Sequence, residues 1–194
     1  MPKLWSKTIA SHRREVHDAV LEATAALVAE HGVRGVTMSE VAGRAGIGRA
    51  TLYKYFPDIE AVLLTWHERK VAEHLSAIAA ARDRSDDPRA QLEAVLTAWS
   101  EVVRSRGGHQ PEVAAVLHRH SHAAGARGQL HSLVRDVIVR GVSAGVVRDD
   151  VAPRELVGFS LSALDAARAV ESNAAARRLV AVVLDGLRPP VPRR

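Results

Sequence analysis

The sequence predicts an all-α fold of about nine helices, and two observations support this prediction. Apolar residues recur along most of the 194-residue chain at steps of three and four, and no stretch shows the period-two alternation of a half-buried strand. Aromatic residues make up only 4% of the chain, so Ala, Val and Leu must build most of the core. Ala and Leu rank high among helix formers, which favours helices further.

The first helix is predicted over about 13–31, because its apolar residues form one stripe and Gly32 follows as a C-terminal cap. Thr37-Met38-Ser39-Glu40 fits a capping box, so a second, short helix begins at about Met38 and ends near Ala45. The stripe of the first helix consists of Val16, Val20, Ala23, Leu27 and Val28.

Gly46 and Ile47 are predicted to form a tight turn, in which Gly46 takes a positive φ at little cost. A third helix then runs from about Arg49 to Tyr55, and Pro57 stops it. Asp58 and Asp87 are good N-caps for the next two helices. The remaining helices are predicted at about 58–82, 88–106, 111–122, 130–143, 154–170 and 173–187.

Composition limits the kinds of site and location that the chain allows. It contains no cysteine, which excludes disulfides, thiolate metal ligands and a cysteine nucleophile. No apolar run approaches the ~20 residues of a membrane helix, and the N-terminal stretch has no apolar core of a signal peptide. We therefore expect a cytoplasmic protein with no membrane partner. The formal charge of +5 and the pI of about 10.2 indicate mild affinity for polyanions.

Two short helices that meet at a glycine turn are typical of a helix-turn-helix. Ala42 and Ala45 are small enough to let the third helix approach the second, and Ile47 and Leu52 fill the wedge between them. No acid lies between Glu40 and Asp58, so the outer face of the motif is basic. The pattern favours a DNA-binding surface over a merely solvated helical face.

The stretch "GVTMSEVAGRAGIGRATLYKYFPDIEAVL" resembles the DNA-binding domain of the tetracycline-repressor (TetR) family, most specifically at "ATLYKYFPD". The resemblance covers about 16–64 and implies a homodimeric transcriptional regulator, most simply a repressor, that binds a near-palindromic operator. Two departures stand out. Gly48 occupies a position where relatives commonly place Ser or Thr, and Ile59 replaces a frequent Lys.

Physical chemistry then suggests a role for each exposed residue. Arg49 suits guanine through two hydrogen bonds, and Ala50 suits a thymine methyl group. Hydroxyl groups suit phosphates, and Lys54 suits a phosphate or a base edge. Arg44 is expected to flank the groove, and Thr37 with the amides behind it suits a phosphate. The predicted DNA-contacting residues are Thr37, Arg44, Gly48, Arg49, Ala50, Thr51, Tyr53, Lys54 and Tyr55.

The resemblance also implies a division into an arm and helix-turn-helix domain (1–57), an effector-binding and dimerisation domain (58–188) and a disordered tail (189–194). The last two helices are expected to pair across the dimer axis, and an effector, mainly apolar, is expected between helices of the second domain. The predicted pocket residues are Leu63, Trp66, His67, Trp99, Val103, Leu117 and Phe159. The apolar residues expected to supply the dimer surface are Leu156, Leu161, Leu164, Leu179, Val183 and Leu187.

Two other functions stay open as alternatives. One is an architectural DNA-binding protein without an effector. The other is a metal-responsive repressor, because His118 and His122 share a helix face at i, i+4. No enzyme is predicted, since Gly141-Val142-Ser143-Ala144-Gly145 matches a nucleophile elbow but no strand precedes it and no histidine follows it. No cofactor is expected.

Overall fold

The computed structural model describes residues 3–105 and 122–190, and every regular element in these ranges is helical, which confirms the all-α prediction. The predicted helix at about 111–122 lies outside the described residues, apart from its last residue. Two 3-10 helices lie at Val33–Gly35 and Asp165–Ala169. The α-helices of the described ranges are α1 (Lys3–His31), α2 (Met38–Arg44), α3 (Arg49–Tyr55), α4 (Ile59–Arg82), α5 (Pro88–Ser105), α6 (His122–Ser143), α7 (Pro153–Leu164) and α8 (Asn173–Leu187).

Three predicted helix boundaries are wrong. The first helix begins at Lys3 instead of about Arg13, because no Gly or Pro interrupts the chain between Pro2 and Gly32. The seventh predicted helix begins at His122 instead of about Leu130, so "AAGARG" does not break it. The eighth predicted helix ends at Leu164, and a 3-10 turn replaces its last residues.

Local capping groups fix the starts of α4 and α5, as the sequence predicted. The Asp58 carboxylate accepts a hydrogen bond from the Ala61 amide at 2.8 Å. The Asp87 carboxylate accepts one from the Ala90 amide at 2.9 Å, and Pro88 is the first helical residue. Of the predicted tail 189–194, only residues 189 and 190 are described, and they are not helical.

The described chain folds as two compact units. The first unit contains 3–70, and the second contains 71–105 and 122–190. The chain passes from one unit to the other within α4, between Lys70 and Val71. Within the described ranges, no helix combines the length and apolar character that a membrane span requires.

Each unit has its own hydrophobic core. In the first unit, α1 packs against α2, and α2 packs against α3. The fully buried residues at the centre of this core are Val20, Val41, Leu52 and Val62. In the second unit α5 contacts α6, α7 and α8, and the centre of the core includes Leu96, Val134, Ile138 and Leu164.

Candidate nucleic-acid interface

The start of α2 is held by reciprocal hydrogen bonds between Thr37 and Glu40. The Thr37 hydroxyl accepts a hydrogen bond from the Glu40 amide at 3.3 Å. The Glu40 carboxylate accepts bonds from the Thr37 amide at 3.0 Å and from its hydroxyl at 2.7 Å. This geometry confirms the predicted capping box. The Thr37 hydroxyl therefore donates its one hydrogen bond to the Glu40 carboxylate.

The corner between α2 and α3 depends on a backbone conformation that favours glycine. Gly46 has a φ of 69°, which confirms the expected positive value. Its amide donates to the Gly43 carbonyl at 3.3 Å, and the Ile47 amide donates to the Ala42 carbonyl at 3.0 Å. The turn therefore directs α3 away from α2 within a few residues.

One buried side chain anchors α3, and the opposite face is exposed. Leu52 is fully buried in the core of the first unit. Gly48 precedes the helix in an extended conformation, and its carbonyl accepts bonds from the amides of Thr51 and Leu52. Thr51 and Tyr55 are half-buried, while the exposed residues of the predicted contact set are Thr37, Arg44, Gly48, Arg49, Ala50, Tyr53 and Lys54.

The cations of this surface fall into two kinds. Neither Arg49 nor Lys54 forms an ion pair within the part of the chain that the structure describes, so both charges remain available for an anionic partner. Arg44 is different, because its guanidinium donates two hydrogen bonds to the Glu30 carboxylate, at 2.8 and 2.7 Å. These bonds lower the pKa of Glu30 and raise the pKa of Arg44 from their usual values.

The structure also brings a basic residue of α1 beside α3, which the spacing in the sequence did not indicate. The Arg13 guanidinium lies 6.0 Å from the centre of the Tyr55 ring, within the range of a cation–π contact. Next to it, the rings of His17 and Phe56 are 5.3 Å apart. Arg13 of α1 thus adjoins the C-terminal end of α3.

The predicted pocket residues are distributed over both units. Leu63 and Trp66 pack in the core of the first unit, and the indole nitrogen of Trp66 is buried with no hydrogen-bond partner among the described residues. Trp99 packs against the core of the second unit. His67 is half-buried, Val103 is fully buried, Phe159 is 47% exposed, and Leu117 lies outside the described residues.

Most residues expected to supply the dimer surface are instead buried inside the second unit. Leu164 and Val183 belong to its core, as do Leu156 and Leu187, whereas Leu161 and Leu179 are half-buried against it. The apolar residues of α7 and α8 that face outward are Phe159, 47% exposed, and Val182, 66% exposed. The sequence pattern marked both helices as apolar but did not show which of their side chains are buried in the core of a single chain.

The metal hypothesis falls largely on residues that are not described. His118 lies outside the described ranges, and the side chain of His122 is not described either. Among the residues that are described, no three His, Asp or Glu side chains are grouped so that they hold a metal ion.

Two short helices joined by a glycine turn, with exposed cations on the second helix, define a helix-turn-helix DNA-binding protein. Residues 20–65 match the family model described as bacterial regulatory proteins, tetR family. Residues 87–189 match the model described as the C-terminal domain of SbtR-like transcriptional regulators. The chain therefore belongs to the TetR family of transcriptional regulators, as the resemblance predicted.

Individual proteins resemble the chain in sequence or in fold. An HTH-type transcriptional regulator of Mycobacterium bovis is 27% identical over 97 residues, which span 50% of this chain and 49% of that relative. A TetR/AcrR-family regulator from Thermobifida fusca matches with a TM-score of 0.73 at 17% identity, over 89% of this chain and 98% of the other. The regulator FadR of Bacillus subtilis, solved with stearoyl-CoA, matches with a TM-score of 0.64 at 13% identity, over 90% and 99%. At these identities the two structural matches show a common fold and nothing more.

Proposed function

We propose that the protein is a ligand-responsive repressor that binds a near-palindromic operator as a homodimer and is released by a small-molecule effector. The observation that carries the proposal is the surface of α3, where Arg49 and Lys54 are exposed and unpaired among the described residues. Such cations suit the phosphates and base edges of DNA. The site of action is the cytoplasm, where the DNA is.

On the DNA, α3 enters the major groove with its N-terminal residues against the bases. Arg49 and Ala50 are the first two residues of α3 and are both exposed, so they read base edges. Tyr53 and Lys54, one turn further along, bind the backbone or a base edge. Thr51 and Tyr55 are half-buried and contribute hydroxyl groups at the margin of the surface.

The dimer forms through α7 and α8, whose outward faces carry Phe159 and Val182. The Phe159 ring lies so close to Gly186 that a β-carbon there would come within 3.2 Å of the ring, so α7 and α8 share one continuous surface. Val182 lies four positions before Gly186 on α8, so it shares the helix face that the Phe159 ring approaches, and an exposed apolar patch of this kind marks an interface. Two-fold symmetry then places the two copies of α3 about 34–36 Å apart, one turn of DNA.

The effector is mainly apolar and acts on the second unit. Trp99 and Val103 lie on α5, which contacts α6, α7 and α8 and so occupies the centre of that unit. The B. subtilis FadR structure, which has the same fold, holds stearoyl-CoA. The effector releases DNA only to the extent that it binds the released conformation more tightly than the operator-bound one.

In vitro selection of bound DNA by the full chain tests this proposal. The wild type is expected to enrich a sequence with two inverted half-sites. Arg49→Ala is expected to lose preference at one base position in each half-site, at a cost of ~1–3 kcal/mol per contact. Lys54→Ala weakens binding, either at one position or to all sequences equally. Arg84→Ala removes an exposed cation from the second unit and serves as the matched control.

The DNA-contact assignment is overturned if Arg49→Ala and Lys54→Ala both bind the selected operator with the affinity and base preference of the wild type. The effector part is tested separately by titrating long-chain acyl-CoA and other apolar compounds into the operator complex. If no compound of this class changes operator affinity, the architectural alternative replaces the ligand-responsive repressor.

A further inference from the structure

The Glu30–Arg44 pair joins the ends of two helices of the first unit. Glu30 is the second-last residue of α1 and Arg44 is the last residue of α2. Both terminal nitrogens of the guanidinium engage the carboxylate, Nη1 with Oε1 at 2.8 Å and Nη2 with Oε2 at 2.7 Å. The side chains of Arg44 and Glu30 are 42% and 45% exposed. Exposed ion pairs generally contribute little, but a bidentate Arg–carboxylate pair is the exception because its geometry is fixed.

The pair lies at the end of α2, a helix that is too short to be stable on its own. With seven residues, α2 is far shorter than the ~12–15 residues at which an isolated helix becomes marginally stable. Its first turn is fixed by the Thr37–Glu40 capping box. Its last residue is Arg44, and Gly46, where the chain turns toward α3, follows two positions later. A loose end of α2 therefore changes the direction in which α3 leaves the turn.

The charge at position 30 also has an unfavourable setting without its partner. A carboxylate in the last turn of a helix opposes the helix dipole. The Arg44 guanidinium compensates this, and His31 lies 3.6 Å from the same carboxylate. Arg44 is therefore paired with a carboxylate of the protein itself, whereas Arg49 and Lys54 form no ion pair with any described residue.

We propose that Arg44 is a positioning residue, which fixes the end of α2 through Glu30 and thereby orients α3, and that it makes no phosphate contact. This inference rests on the proposed DNA-binding function. It replaces the role predicted from the sequence, in which Arg44 flanks the groove. The affinity for the operator then depends on Glu30, an acidic residue on α1, whereas the DNA-reading surface is on α3.

The experiment compares Glu30→Gln, Arg44→Gln, the Glu30→Gln/Arg44→Gln double variant and the charge swap Glu30→Arg/Arg44→Glu. Glu22→Gln removes an exposed acid from the same helix and serves as the matched control. Operator affinity and its salt dependence are measured at a temperature at which circular dichroism shows every variant fully folded. A merely structural role shifts only the melting temperature and leaves these two readouts at their wild-type values.

If the pair positions α3, each single variant and the double variant weaken operator binding by a similar factor, on the order of tenfold. The charge swap restores most of the affinity, the slope of log affinity against log salt stays at the wild-type value, and Glu22→Gln does not weaken binding. If Arg44 is a phosphate ligand instead, Arg44→Gln lowers the slope by about 0.9 for each half-site. Glu30→Gln then tightens binding, and the swap weakens it further because it places an acid against the phosphate.

Two results overturn the inference and leave the proposed function intact. One is the pattern expected for a phosphate ligand, and the other is a set of variants that bind the operator as the wild type does. A wild type that enriches no DNA in the selection overturns the proposed function, and the inference falls with it. The two failures are distinguishable because the second is read on the wild type and the first only on the variants.

Discussion

The two surfaces proposed to bind partners, one on each unit, expose different chemistry. The first unit presents two cations, Arg49 and Lys54, on a helix of seven residues, and neither is paired with any described residue. The second unit presents an aromatic ring and a Val, Phe159 and Val182, on its last two helices. The first surface suits a polyanion and the second suits another apolar surface. One chain therefore carries the cations of α3 and the exposed apolar residues of its last two helices on separately packed units.

The two units also differ in how their helices are fixed. In the first unit, groups a few residues apart set the start of α2 and the turn before α3, as Thr37 with Glu40 and Gly46 show. In the second unit α5 to α8 are longer than α2 and α3, and packing between residues far apart in the chain decides which face is buried. This difference predicts that substitutions in the second unit have effects that only the tertiary structure explains.

The largest expected effect separates core from surface on the last two helices. Leu164→Glu places a carboxylate at a position with no solvent exposure, so we expect the second unit to lose about 4 kcal/mol or more of stability. Val182→Glu changes a 66% exposed position, so the chain should remain folded while the dimer dissociates, at a cost of about 2–4 kcal/mol in association.

Thermal melts and sedimentation of both variants decide this prediction, with Arg177→Glu, an exposed position on α8, as the control for added negative charge. A Val182→Glu variant that sediments as the wild-type dimer would move the interface away from this face. A Leu164→Glu chain that melts at the wild-type temperature would contradict the burial of Leu164 in the core.

The helix-turn-helix was predictable from the sequence because its determinants are local. The spacing of Thr37 and Glu40, the position of Gly46 and the stop at Pro57 gave the bounds of α3 as the structure has them. The packing of the second unit was not predictable in the same way. Leu164 and Val183 are equally suited to a dimer surface and to the core of a single chain. Only the tertiary structure shows that they are buried in the core.

The predicted break at Gly125 and Gly128 is wrong because packing outweighs the local preference of glycine. Gly125 and Gly128 lie inside α6 at exposed positions, where each costs about 1 kcal/mol relative to Ala without breaking the helix. The buried Leu130 and Val134, further along the same helix, help to hold it in the core of the second unit. The Glu30–Arg44 pair was likewise beyond sequence reasoning, since its partners are 14 positions apart on different helices.

An intermediate effect is expected from the same substitution at two neighbouring glycines of the first unit. Gly46→Ala should destabilise this unit by about 1–2 kcal/mol, because a β-carbon disfavours a φ of 69° even though no atom lies within 4 Å. Gly43→Ala, inside α2 and equally unobstructed, should stabilise it by up to about 1 kcal/mol. Chemical denaturation of the two variants measures both changes, and shifts of the same sign would contradict the turn geometry.

The smallest expected effect concerns Gly48, which begins α3 with no side-chain cap. Its φ of −68° and ψ of 144° suit any residue, and an added β-carbon would lie 3.8 Å from the nearest atom, the Thr51 hydroxyl oxygen. Gly48→Ser should therefore stabilise the first unit by a few tenths of a kcal/mol, because the new hydroxyl accepts a bond from an amide of the first turn. Gly48→Ala supplies the same β-carbon without an acceptor, so it should be less stable than the Ser variant by about 0.5–1 kcal/mol. Equal melting temperatures for the Ser and Ala variants would show that the hydroxyl caps nothing, and that α3 depends on Leu52 and the glycine turn rather than on its first residue.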